Sequence, residues 1–349
     1  MLYFMNDYSE GAHPRIVEAL TRTNMEQHVG YGLDAHCENA IDLIKKRIGQ
    51  PDAEVHLLVA GTQTNIIALS SFLRPYEAVI STELGHISVH ETGAIEATGH
   101  KIIEMPSQDG LLKPEQIDKA CDSHVDEHMV LPRVVYISNA TETGSIYRKA
   151  QLKAIRKKCD ERGLYLYLDG ARLANALTCD DNDLTIEEIA ELTDAFYIGG
   201  TKNGILFGEA LVITSPELKS HLRYTIKQRG GMLAKGRLLG VQFEELFKDD
   251  FYFELSEHTN EMSKLLRSGI KALGYDLVTE SSTNITFVVL PNPIHAALSK
   301  QCYYEAEKPF DENNMEARFV TSWATPKEDV EKLLKLLADH LADHKEIDG

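Results

Sequence analysis

The chain has 349 residues, with 36 Lys and Arg against 54 Asp and Glu, for a formal charge of −18. At 43% hydrophobic and 26% charged residues it has an ordinary globular composition, too apolar for a disordered chain and long enough for about two domains without disulfide staples. The acidic balance argues against phosphate-tracking surfaces, so neither nucleic acid nor an anionic membrane is an expected partner.

The apolar start Met1-Leu2-Tyr3-Phe4-Met5 runs straight into Asn6-Asp7 with no basic flank, unlike a signal peptide. No apolar stretch approaches the ~18 residues of a membrane span. The five cysteines (Cys37, Cys121, Cys159, Cys179, Cys302) are scattered and form no Cys-x-x-Cys pair, which points to a reducing, cytoplasmic setting and away from zinc ribbons. In chain order, Val55–Val59 reads as a buried strand, followed by a helical run from Gln63 to Phe72. Ala78–Ser81 is a second strand, with Ala94–Ala97 on the helix after it. Val134–Ser138 is a third, followed by the helical stretch Lys149–Arg162. Leu164–Leu168, Ala195–Ile198 and Ala210–Ile213 complete the set. Short β-rich runs separated by amphipathic helices indicate βαβ units and a mainly parallel sheet.

From about Leu238 the texture becomes helical and charged, with one long helical region expected over Val241–Leu273. Strand candidates Ile285–Leu290 and Ala317–Thr321 follow, then a last helix opened by Pro326. The expected organisation is an N-terminal arm and large α/β domain over residues 1–245, and a smaller C-terminal α/β domain over 246–349.

In an open parallel sheet the ligand site lies at the carboxyl ends of the strands. Past Val59 come Ala60-Gly61-Thr62-Gln63-Thr64-Asn65, small and polar at a helix start, which suits a phosphate, although a plain βα turn reads the same way. Five apolar strand residues end in Asp169, a costly place for a carboxylate unless it meets a cation or caps the next helix. Gly199-Gly200-Thr201-Lys202-Asn203-Gly204 flanks a lysine with small residues, as if leaving room for a flat ligand; a partly buried amine of this kind is a usable nucleophile, whereas a solvated one is inert. A phosphate cup, a carboxylate for a ring nitrogen and an ε-amine for an aldehyde together call for pyridoxal 5'-phosphate (PLP).

These segments, with Leu168-Asp169-Gly170-Ala171-Arg172, Thr141-Glu142-Thr143-Gly144 and Arg318–Thr325, resemble the threonine aldolase and β-eliminating lyase group of fold-type I PLP enzymes, and most closely the low-specificity threonine or phenylserine aldolase branch. The resemblance implies a mainly parallel central sheet with a smaller C-terminal domain. It makes Lys202 the imine-forming lysine, Asp169 the partner of the ring nitrogen, and Gly61, Thr62 and Gln63 the phosphate cup. His86 would stack on the ring, Arg172 would lie near both cofactor and substrate, and Arg318 would clamp the substrate carboxylate. Asn6 falls where relatives carry a serine near that carboxylate. Tyr31, Lys235 and the nearby Lys227 and Arg229 would approach a neighbouring subunit's site in a homodimer or homotetramer.

His86 and His90 lie four apart and could grip zinc on a helix, but the glutamate a zinc protease needs directly after the first histidine is absent, so no metal is expected and His90 is read as structural. Where better-known threonine aldolases carry a second histidine, this chain has Ala140-Thr141-Glu142-Thr143, which leaves His86, Glu142 or a water to take the β-hydroxyl proton. The expected reaction is cleavage of a β-hydroxy-α-amino acid to glycine and an aldehyde. Its rivals are β-elimination, releasing ammonia and a keto acid, and a non-catalytic relative of the fold.

Overall fold

The computed structural model describes residues 1–348, and side chains through residue 342. In chain order its strands are β1 (Leu2–Tyr3), β2 (Glu54–Leu58), β3 (Glu77–Thr82), β4 (Ile102–Met105), β5 (Leu131–Ser138), β6 (Tyr165–Asp169), β7 (Ala195–Gly199), β8 (Glu209–Ile213), β9 (Ile285–Pro291), β10 (Cys302–Tyr303), β11 (Glu305–Pro309) and β12 (Asn314–Val320). Seven form the main sheet in the order β2-β8-β7-β6-β5-β3-β4. All neighbours are parallel except β8, which runs antiparallel to both β2 and β7. The expected mainly parallel sheet is present. β4 was not legible because Ile102–Met105 offers only four residues, one of them Glu104.

Helices cover both faces, which is why the inner strands are apolar throughout rather than alternating. On β5, Val135 and Ile137 enter one core with Ile16, Ile44 and Phe243, while Val134 and Tyr136 enter the other with Ile67 and Leu211. The period-two alternation thus separates two apolar faces rather than an apolar face from a wet one.

The helical region expected over Val241–Leu273 is broken. One helix ends at Phe247, and Asp249 and Asp250 take left-handed conformations with φ of 56° and 57° before the next begins at Phe251. Aspartate tolerates that region better than most side chains, and the turn re-aims the chain. The 23-residue helix Phe251–Leu273 gives Phe251, Tyr252 and Leu255 to the first core, and Met262, Leu266 and Ile270 to a third core with Val288 and Phe319. That third core lies against the antiparallel sheet β11-β12-β9. Ala94–Ala97, expected on a helix, lies instead around a short 3₁₀ turn at Glu96–Thr98, which Gly99 ends with φ 93°.

The N-terminal arm is a working part of this architecture. Leu2 and Tyr3 pair with Cys302 and Tyr303, and Phe4 is fully buried in the third core. Thus anchored, the next residues are delivered to the crevice between the two sheets.

Candidate active site

The carboxyl ends of β2, β6 and β7 and the loop after β3 open into one cleft of about 680 Å³, lined among others by Gly61, Thr62, His86, Glu142, Arg172, Lys202 and Arg318. Seven residues expected from the sequence therefore meet in one place. Asp169 lies beneath them at the end of β6, 3% exposed.

Asp169 is held by three donors. Tyr136 donates its hydroxyl to Oδ2 at 2.6 Å, Asn65 donates Nδ2 to the same oxygen at 3.1 Å, and the Ala171 amide donates to Oδ1 at 3.0 Å. Tyr136, Tyr167 and Tyr197 come from adjacent strands and share a face of the sheet. Asn65 links this carboxylate to a second one: its Nδ2 also donates to Glu91 Oε1 at 2.7 Å, and its Oδ1 accepts from Tyr167 at 2.9 Å. Glu91 Oε1 in turn lies 2.8 Å from His86 Nδ1. Burial disfavours the charged form of His86, but the bond to Glu91 and the charges of Glu142 and Asp169 outweigh it and raise its pKa. With Nδ1 bound to Glu91, Nε2 is the free ring nitrogen.

Lys202 sits in the loop after β7. Burial, reinforced by the nearby Arg172 charge, brings its amine below the usual lysine range against the pull of Asp7, Glu142 and Asp169. The loop is fixed on both sides. Gly200 and Thr201 donate their amides to Gly208 O, and Asn203 donates Nδ2 to Tyr252 O at 2.7 Å. The glycines before Lys202 serve backbone approach rather than ligand room: a Cβ on Gly199 would lie 2.5 Å from Ala171 O. The same loop touches Glu209, whose Oε1 accepts from Thr201 Oγ1 at 2.7 Å and whose Oε2 accepts from the Gly200 amide at 3.1 Å. Burial pushes Glu209 up to about 8 despite those two donors.

Arg172 is 5% exposed and bidentate with Asp7, Nε to Oδ2 at 2.7 Å and a terminal nitrogen to Oδ1 at 3.1 Å. Asp7 also accepts from Asn284 Nδ2 at 2.9 Å, so the arm, the end of β6 and the start of β9 meet on one carboxylate. Burial alone would push Asp7 up, but Arg172 and Lys202 bring it down to about 2. Glu142 is likewise held below the ordinary range: burial opposes ionisation, and Arg172, Lys202, His86 and His90 overcome it.

Several expected positions lie elsewhere. Asn6 does not line the cleft; its Oδ1 caps a local turn, accepting from the Tyr8 amide at 3.0 Å and from Ser9 Oγ at 2.6 Å. Its neighbour Asp7 is the residue that reaches the site. Gln63 turns away and donates to Arg229 O at 3.4 Å. Tyr31 is 46% exposed beneath the Lys227 ammonium, 4.7 Å from its ring centroid, and lines a different hollow. Lys235 lines another one with His28. His90, read as structural, lines the cleft instead, its ring 5.5 Å from that of His86. Sequence reasoning missed Asp7, Asn65 as a bridge, Glu91, Tyr136 and Glu209. The available signals were Glu91 directly after the His86–His90 pair and a lone glutamate opening the apolar strand Ala210–Ile213.

The cleft fits PLP. The 12-residue helix Gly61–Phe72 begins with no side-chain cap, leaving first-turn amides for a phosphate at its positive end. Asp169 offers a pre-organised carboxylate to a ring nitrogen, and Lys202 an amine of lowered basicity to an aldehyde. Such a site on such a sheet defines a fold-type I PLP enzyme, and the fold is shared with a Thermus thermophilus aspartate aminotransferase at TM-score 0.71 and 15% identity, covering 97% of this chain and 91% of that one.

Residues 6–292 match the family model of beta-eliminating lyases, and the chain belongs to that family. It is 33% identical over 338 residues to a low specificity L-threonine aldolase of a Pseudomonas species, covering 95% of each chain. A second such aldolase, from Pseudomonas aeruginosa, is 31% identical over 342 residues, 96% of each. A solved threonine aldolase from Leishmania major superposes with TM-score 0.96 at 49% identity, covering 97% of this chain and 99% of that one.

Proposed function

We propose that the protein is a PLP-dependent aldolase that cleaves a threonine- or phenylserine-like β-hydroxy-α-amino acid to glycine and an aldehyde. The observation that carries this is one cleft joining the Lys202 amine and two arginines above the buried Asp169 carboxylate, with a histidine whose Nδ1 is fixed by Glu91. When bound, the cofactor supplies an electron sink for the bond broken at the substrate's α-carbon.

The chain's own residues do the rest. Gly61 and Thr62 would hold the phosphate with main-chain donors, Asp169 would face the ring nitrogen, and Lys202 would be the amine available to the aldehyde. Arg318 and Arg172 bind the substrate carboxylate, and holding it fixes which α-carbon bond lies in line for cleavage. Arg318 is paired with Glu305 before substrate arrives, so the substrate carboxylate replaces that partner. His86 accepts the β-hydroxyl proton at Nε2, with Glu91 orienting the ring. Glu142, ionised in the same cleft, stabilises the imidazolium that results.

Incubation with a panel of β-hydroxy amino acids is expected to release glycine and the matching aldehyde. Ammonia and a keto acid without glycine would instead assign the chain to β-elimination. The reading includes a homodimer or homotetramer in which Tyr31 and Lys235 complete a neighbour's site. It is supported by the exposed apolar side chains Met25, Val29, Leu33 and Tyr224 close to both in the chain. No described helix is long and apolar enough to cross a membrane, and all five cysteines are free thiols, which suits a reducing cytoplasm.

A further inference from the structure

The segment joining helices Pro14–Arg22 and Ala35–Arg47 carries a cluster outside the cleft. Glu26 Oε2 lies 2.8 Å from His28 Nε2 and 2.9 Å from His36 Nε2, and the two rings are 5.2 Å apart. Among the described residues these three offer ligand atoms within 4.8 Å of one another. His36 Nδ1 lies 2.6 Å from Glu244 Oε2, on the helix Arg237–Phe247.

We propose that Glu26, His28 and His36 form a divalent transition-metal site, with Zn²⁺ as the expected occupant. Two imidazoles and one carboxylate make a donor set for zinc and its neighbours rather than for calcium or magnesium, and three protein ligands leave a position for water. Glu244 does for His36 what outer carboxylates do for metal-bound histidines: it takes Nδ1 and leaves Nε2 as the ligand nitrogen. The donors are also positioned in advance. Arg237 holds the carbonyls of Thr23 and Asn24 at 3.0 and 2.9 Å, and the Tyr31 amide donates to Ala234 O at 3.2 Å. The segment is therefore tied at both ends, with His28 between. Glu26 and His28 line a hollow of about 420 Å³. The cations lining that hollow are Arg237, engaged by the two carbonyls, and Lys235.

Without a metal, the same contacts are hydrogen bonds from two imidazole N–H groups to one carboxylate oxygen; a bound ion replaces those protons and ties the segment bearing Tyr31 to the helix bearing His36. The site is separate from this chain's own cleft, and its test does not depend on the aldolase reading. Chelator-treated full-length protein loaded with its cofactor is titrated with Co²⁺ and then with Zn²⁺. One equivalent per chain is expected, giving strong tetrahedral-type visible bands to the red of the cofactor's own absorbance, bleached as Zn²⁺ displaces Co²⁺. Zn²⁺ should raise the melting temperature of the wild type and leave that of His28→Ala unchanged. His28→Ala and His36→Ala should abolish the bands, and Glu244→Gln should weaken binding by roughly 10-fold or more while keeping the spectrum. Because His36 is packed against Glu244, His28→Ala on the connecting segment keeps the test open should His36→Ala fail to fold. Pale octahedral bands, or binding as tight in His28→Ala as in the wild type, would overturn the proposal.

Discussion

Asp7→Asn removes a charge and one of two acceptor oxygens while keeping the side chain's size, which makes it the sharpest test of how the N-terminal arm holds the site. In the wild type the carboxylate is 1% exposed and takes two hydrogen bonds from Arg172 and one from Asn284. The amide keeps the shape but leaves a buried guanidinium uncompensated, and breaking a buried pair in this way costs about 3–5 kcal/mol. Glu142 also acts on Arg172, so the lower end, about 3 kcal/mol, is the expectation at pH 7. The sign with pH follows from the depressed pKa. Asp7 titrates at about 2 when folded against an ordinary 3.8, so its contribution is present above 3.8 and is lost as pH falls through about 2. Guanidinium unfolding followed through Trp323, the chain's single tryptophan, is the assay. The variant should unfold at lower denaturant at pH 7, and the gap should narrow below about pH 4. A variant with the wild-type midpoint at pH 7, or a gap indifferent to acid, would refute the argument.

Glu91→Gln takes away an interaction that raises the pKa of His86, so the acid limb of the kcat profile should move to lower pH while kcat falls; an unmoved limb would mean that His86 is not the proton acceptor. Glu209 is pushed up to about 8 from an ordinary 4.5, so its contribution to stability is complete below 4.5 and lost as pH rises through about 8. Cofactor-free Glu209→Gln should therefore show a flatter decline in stability over that range, by a few kcal/mol at most, in denaturant titrations at a series of pH values. Glu305→Ala frees Arg318 from an exposed competitor worth up to about 1 kcal/mol, so KM for the amino acid should fall by up to roughly fivefold with kcat little changed; an unchanged or raised KM would count against Arg318 as the carboxylate clamp.

The strand-end residues were legible because the chemistry stands out locally. A carboxylate closing the apolar run before Asp169, or a lysine inside the glycine-rich turn at 202, departs from its surroundings within a few positions. The partners that set their behaviour were not. Asp7 and Arg172 are 165 residues apart, and Asn65 and Asp169 are 104 apart, so no window along the chain contains both. The burial of Glu91 and Glu209 was not legible, because it comes from the packing of distant elements. The antiparallel course of β8 was hidden for a related reason: a strand buried on both faces looks the same in either direction. The break at Asp249–Asp250 lay inside a stretch whose composition was helical on both sides, and only the left-handed backbone reveals it. Tyr31 and Lys235 do not reach this chain's own cleft.

The amide of Asn65 has a consequence for how this enzyme can be changed. One small side chain donates to Asp169 and to Glu91, the acid bonded to His86, while accepting from Tyr167. In the proposed reaction these two acids serve the ring nitrogen and the proton acceptor, so a substitution that retunes either one disturbs both. Redesign for a new aldehyde should therefore leave that inner triangle and Glu142 alone and draw its variation from the cleft residues Tyr8 and His90.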